Sequence, residues 1–277
     1  MYLQQQYDLV IEPGRAERRY WKDIWRYREL FYFLSWRDIL VRYKQTTIGI
    51  AWSVIRPVLT MVVFTILFGK IAKLPSNGVP YPILVFSAML PWQFFATSLS
   101  EASDSLINNA NLILKVYFPR IIIPTSAIIV SMLDFLISLV ILSFLMVWYR
   151  FIPSGRIFFL PFFFMMACAA SFGAGLWLAC FNTKYRDFRY VIPFMIQFGL
   201  YISPVGFSIS VIPERWRLIY SLNPMVGVID GFRWAILKDG PSLYLPGFIL
   251  SLALVAALLI SGIWYFRKTE RTFADVI

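Results

Sequence analysis

The stretch IIIPTSAIIVSMLDFLISLVILSFLMVWY, residues 121–149, carries a single charged residue, Asp134, in an otherwise uncharged and largely apolar run. A bilayer core takes about 20 apolar residues of helix, so a run of this length reads as a membrane-crossing helix. Working outward, five further stretches reach the same length: Ile48 to Phe68, Tyr81 to Leu99, Ile157 to Phe181, Val191 to Ile212 and Tyr244 to Phe266. The sequence predicts an all-α polytopic membrane protein with six transmembrane helices, Ile121 to Tyr149 being the third. Composition agrees, because 59% hydrophobic and 15% charged residues are too apolar a mixture for an ordinary soluble domain.

The chain has 277 residues and a formal net charge of +11. Lys and Arg gather before the first span and after the second, fourth and sixth, so the positive-inside rule places both termini in the cytoplasm. The basic residues sit beside apolar spans and form no groove-sized stripe, which argues against nucleic acid as a partner. The first twenty residues are polar and read as carrying no removable signal peptide. There is no histidine, which excludes a histidine metal site or triad within the chain. Cys168 and Cys180 lie on one expected helix about 18 Å apart along its axis, beyond disulfide reach.

Residues 1–47 are expected to form a cytoplasmic N-terminal segment and residues 48–277 a single six-span domain, with a cytoplasmic loop at 101–120 and an external helical hairpin at 213–243. Within the first part, residues 20 to 45 read as an amphipathic helix, with Trp36, Ile39, Leu40 and Tyr43 at helical spacing and Arg37, Asp38, Arg42 and Lys44 between them. Such a helix lies along the membrane surface or packs under the bundle. Between spans five and six, the linker Pro213 to Leu243 is apolar and reads as two short re-entrant helices, with Asn223 and Pro224 as cap and first position of the second.

Residues able to carry chemistry are few. Asp134 must face protein or water, as a proton or substrate site or as an interhelical polar contact; the lack of a second acidic partner at that depth favours the contact. Glu101 and Asp104, at the end of span two, read as solvated or capping residues. Gly69-Lys70 lacks a phosphate-cradling loop and the following Ser or Thr, so the chain has no nucleotide-hydrolysing motif of that kind. Gly173 and Gly175 give span four a small face suited to close helix contact. Phe64, Phe68, Trp92, Phe95, Phe198 and Tyr201 lie in or near the spans, where flat rings stack on sugars or pack against neighbours. The loop NNANLILKVYFPR, 108–120, forms a short amphipathic turn stopped by Pro119, either meeting a partner or packing under the bundle.

With WRDILVRYKQTTIGIAWSVIRP at 36–57, this loop, YRDFRYVIPF at 185–194, YISPVGFS at 201–208 and YSLNPMVGVIDGFRWAIL at 220–237, the chain resembles the permease subunits of type-2 ABC exporters for polysaccharides. The O-antigen, capsule and teichoic-acid transporters belong to that group. The resemblance implies a homodimer in a bacterial inner or plasma membrane, with two ABC ATPase subunits that bind ATP and Mg and no cofactor in this chain. By the same likeness Asn108, Asn111, Leu112, Lys115, Val116, Tyr117, Phe118, Pro119 and Arg120 form the coupling helix seated in the ATPase, and Tyr185, Arg186 and Asp187 a second contact. It further implies that Arg37, Arg42 and Lys44 meet the pyrophosphate of a polyprenyl-linked polysaccharide, and that the six aromatics above line the sugar channel. The rival readings are an ion-gradient-driven transporter or channel using Asp134, a membrane enzyme with Asp187, Asp38 and Glu101 as loose candidates, and an exporter of a drug or small lipid.

Overall fold

The computed structural model describes residues 16–44, 49–76, 78–238 and 242–273. Among these residues the chain is helical and contains no strand. Helices α1 (Ala16–Arg26) and α2 (Arg28–Lys44) precede α3 (Gly49–Phe64), which widens into a π-helical turn over Thr65–Ile71. Next, α4 (Tyr81–Asn108) leads through the short α5 (Ala110–Lys115) into α6 (Ile122–Trp148). A 3-10 turn over Gly155–Phe159 opens α7 (Leu160–Lys184), followed by α8 (Phe188–Ile202), α9 (Glu214–Tyr220), α10 (Pro224–Ile236) and α11 (Leu245–Thr269). The expected boundary at residues 47 and 48 lies outside the described residues.

Five helical stretches are long and apolar enough to cross a membrane: Ala51–Ile71, Tyr81–Asn108, Ile122–Trp148, Gly155–Lys184 and Leu245–Thr272. The expected span Val191 to Ile212 differs. Its helix, α8, begins at Phe188 and ends at Ile202 after 15 residues, a rise of about 22 Å against a hydrocarbon core of about 30 Å. Pro204 explains the stop, since it offers no N–H to the helical ladder and pushes the preceding residue out of the helical region. Ser203 is indeed extended, and the chain turns into a 3-10 segment at Ile209–Val211. A count of apolar residues runs straight through this break. The loop expected at 101–120 is also shorter, because α4 stays helical through Asn108.

Helix α4 forms the centre, with 72% of its apolar window buried against 17% for α3. Helices α6 and α7 flank it, α11 packs on α7, and α10 sits against α4, α7 and α11. Ile83, Val85 and Met89 of α4 share this core with Met166 and Ala170 of α7 and Ile229 and Phe232 of α10. Asn223 caps α10 as expected: its side-chain oxygen accepts the Met225 N–H at 3.1 Å, and Pro224 occupies the first turn. The two helices of the 213–243 segment differ in their surroundings. Helix α10 is enclosed by protein over Met225 to Arg233, whereas α9 exposes Trp216, Leu218 and Ile219.

At the opposite end, α2 packs under the bundle through Leu34, in one cluster with Ile113, Phe118, Ile122, Cys180 and Phe266. Its other face leaves Tyr32, Phe33, Trp36 and Leu40 exposed, so one helix serves both an internal contact and an outward apolar surface. Small residues set the approach of α7 to α11. A Cβ on Gly262 would lie 2.4 Å from the Gly173 carbonyl oxygen, and one on Gly173 would lie 2.6 Å from the Leu258 carbonyl carbon. Backbone against backbone leaves nothing able to yield. Gly262→Val therefore forces the two helices apart and is expected to lower stability by about 1–3 kcal/mol, seen as a reduced thermal midpoint of the detergent-purified protein.

Candidate functional site

Three groups of residues stand out, and the first is the segment between α4 and α6. Asn109 ends α4 with its side-chain N–H donating to the Ser105 carbonyl at 2.9 Å. After α5 the chain extends at Val116, and Phe118 and Pro119 turn it inward. Ile113 and Phe118 are buried, whereas Leu114, Lys115, Val116 and Tyr117 are exposed, Tyr117 at 60%. The result is a firmly seated knob with an apolar outer face. Of the nine residues expected to form this contact, Asn108 and Asn111 are also exposed, Leu112 is half-buried, and Arg120 points back to Glu270. Tyr185, Arg186 and Asp187, between α7 and α8, are exposed at the same end. Asn182 holds them there by donating to the Ser103 carbonyl at 3.1 Å and to Asp104 at 2.8 Å, which binds the end of α7 to α4.

The second group surrounds Asp134. Its two carboxylate oxygens are taken by α2: Arg42 lies 2.9 Å from one, and the Tyr43 hydroxyl donates to the other at 2.6 Å. Arg42 also reaches Glu101 of α4 at 3.5 Å. Burial and the neighbouring Asp134 carboxylate push the Tyr43 phenol up to about 12, so it stays a donor at any physiological pH. The sequence places Asp134 on one helix and Arg42 far away on another; only docking of α2 joins them. Arg37 is likewise engaged, with Asp38 at 2.7 Å and Asn109 at 2.8 Å. Of the three cations expected to meet a pyrophosphate, Lys44 is exposed and Arg37 half-buried, and both border a groove on α2 with Phe33, Trp36, Leu40 and Val41.

The third group is aromatic. Phe64 and Trp92 are buried within the chain, and Phe68 and Phe95 are half-buried against them. Phe198 and Tyr201 are exposed, at 55% and 63%. Two residues not singled out from sequence, Tyr190 and Phe194, share their face at helical spacing and are exposed as well. The rings of Phe194 and Phe198 are nearly parallel, 5.9 Å apart. Trp92 and Phe68 support this region from behind, filling the space a side chain at Gly199 or Gly206 would need.

Residues 29–237 match the ABC-2 type transporter family. The chain belongs to that family. Among curated relatives, the ABC-2 chain is 28% identical over 257 residues to the O-antigen export system permease protein RfbA of Klebsiella pneumoniae, covering 90% of this chain and 95% of the relative. It is 26% identical over 228 residues to the polysialic acid transport protein KpsM of Escherichia coli, covering 77% and 85%. The capsule polysaccharide export inner-membrane protein CtrC of Neisseria meningitidis is 24% identical over 234 residues, covering 82% and 86%.

Sequence reading also passed over the central polar residue of this ABC-2 protein. Arg233 of α10 is 1% exposed and donates to the carbonyls of Val205 at 2.9 Å, Phe207 at 2.6 Å and Leu84 at 3.4 Å. Its signal was an arginine within the apolar run Met225 to Ile236, with Asp230 one turn before it. Arg233→Met strands these carbonyls and is expected to cost about 3 kcal/mol or more, measured as loss of folded protein on heating. For the α2 joint, a double-mutant cycle of Arg42→Gln and Asp134→Asn is expected to give a coupling of about 1 kcal/mol in unfolding experiments, discounted for partial exposure.

Proposed function

We propose that this chain is the membrane subunit of an exporter that moves a polyprenyl-pyrophosphate-linked polysaccharide out of the cytoplasm, driven by ATP hydrolysis on a separate subunit. Two copies pair, and two ATPase subunits dock below them. One observation carries this reading: the segment 108–120 is anchored by buried Ile113 and Phe118 while Leu114, Val116 and Tyr117 project outward. An apolar knob on a rigid seat suits insertion into a partner's groove, where a few such anchors supply most of the binding. ATP and Mg belong to that partner. The excess of basic residues leading into α3, α6 and α8 and after α11 supports a cytoplasmic location for this end and both termini, in a bacterial inner or plasma membrane. Tyr185, Arg186 and Asp187 provide the second contact.

Helix α3, largely unburied within the protomer, and the exposed face of α8 are the surfaces on which the second copy closes the pathway. There the stripe of Tyr190, Phe194, Phe198 and Tyr201 offers flat apolar faces to successive sugar rings, with Trp92, Phe64 and Phe68 as backing. Lys44, exposed at the edge of an apolar groove that Arg37 also borders, is the cation presented to the pyrophosphate, while Arg37 is bonded to Asp38 and Asn109 and Arg42 to Asp134. The polysaccharides named for the three relatives support a glycan cargo. Asp134 is unsuited to an ion site, because both of its oxygens are occupied by Arg42 and Tyr43.

Tyr117→Ala combined with Lys115→Glu is expected to reduce polysaccharide export at least roughly tenfold, the loss of one interface anchor, and to weaken co-purification of the ATPase. Surface polysaccharide on intact cells and pull-down of the ATPase measure the two effects. Export at the normal rate would show that this segment is not the lever.

A further inference from the structure

We infer that Glu270 is a positioning residue that carries the movement of the segment 108–120 into α11 and α1, an inference that rests on the ATPase-driven reading above. The segment is continuous with α4 and α6, so these two helices receive any displacement directly. Neither α11 nor α1 adjoins it in the chain. Glu270 bridges that gap from the 3-10 turn Glu270–Thr272, immediately beyond α11. One carboxylate oxygen accepts the backbone N–H of Arg120 at 3.0 Å, and the other accepts the Tyr20 hydroxyl of α1 at 2.9 Å. The Arg120 guanidinium donates in return to the Glu270 carbonyl. Arg267, one turn back on α11, lies 4.7 Å from the centre of the Tyr20 ring.

Helix α6 has no acidic residue in its first turn and no side-chain cap of its own. The orphan N–H groups and positive dipole end at its start favour a carboxylate, and Glu270 supplies one to the Arg120 N–H from another helix. A bond to a backbone N–H moves with the main chain and is independent of a side-chain rotamer. Apolar contacts surround it, with Phe266 and Phe273 5.3 Å apart and both buried beside Phe118 and Ile121. Such contacts hold the elements together yet permit sliding, whereas a directional, charge-assisted bond fixes register. Glu270 therefore makes the elbow at Arg120, the end of α11 and helix α1 move as one piece.

The test uses the full chain with its ATPase, measuring phosphate release by the purified complex and surface polysaccharide on the same cells. Glu270→Ala is expected to leave hydrolysis within roughly twofold of wild type while export falls roughly tenfold, the size of an ordinary coupling between sites. Glu270→Gln, whose amide oxygen still accepts the Arg120 N–H, is expected to recover most of the export. Wild-type export from Glu270→Ala, or hydrolysis and export falling in proportion as for a purely structural residue, overturns the inference. Should Glu270→Ala fail to assemble, Tyr20→Phe decides: a drop in export per nucleotide of roughly two- to fivefold supports the inference, and an unchanged ratio overturns it. Wild-type export that persists with an ATPase unable to hydrolyse nucleotide overturns the underlying reading, and this inference with it.

Discussion

A backbone placed in an apolar interior must find every hydrogen bond within the protein, and the guanidinium of Arg233 is where this chain meets that constraint. Helix α8 breaks before Pro204, and the carbonyls of Val205 and Phe207 then point away from any ladder of their own. Arg233 satisfies both and reaches Leu84 on α4 through its Nε–H. One side chain thus ties α10, the irregular segment and the central helix together. Burying a lone charge is costly, and Asp230, also buried and one turn earlier on the same helix, moderates that cost. The five donors of a guanidinium suit this many-sided role, whereas a lysine ammonium is a compact point charge.

The opposite end is built differently. There an apolar cluster draws together α2, the segment after α4, and the ends of α7 and α11, while polar joints at Arg37–Asn109, Arg42–Asp134 and Arg120–Glu270 fix their register. Leu114, Val116 and Tyr117 gain their significance from this seat. An exposed apolar residue on a mobile loop is unremarkable, but here Phe118 and Ile113 hold the backbone beneath it.

Periodicity and run length revealed the all-helical character, the apolar spans of α3, α4, α6, α7 and α11, the cap at Asn223, the small face around Gly173 and the short amphipathic turn after Asn108. These features depend on neighbours close in sequence. The end of α8 was misjudged because hydropathy weighs side chains and ignores the N–H that Pro204 lacks. Tyr190 and Phe194 were present at helical spacing with Phe198 and Tyr201, yet nothing in the sequence distinguished an outward stripe from a buried one. Phe64 and Trp92, alike in type, turned inward.

Charge partners were the least legible of all. The sequence alone determined which segments leave water, through the free energy of transferring apolar side chains, and which short stretches of the ABC-2 family it carries. Only the tertiary structure decided that Arg42 serves Asp134, that Arg233 serves the carbonyls beyond α8, and that Glu270 serves the N–H of Arg120. Those pairings join residues far apart in the chain, and electrostatic interaction depends on distance and burial in the folded state, neither of which a linear order of residues contains.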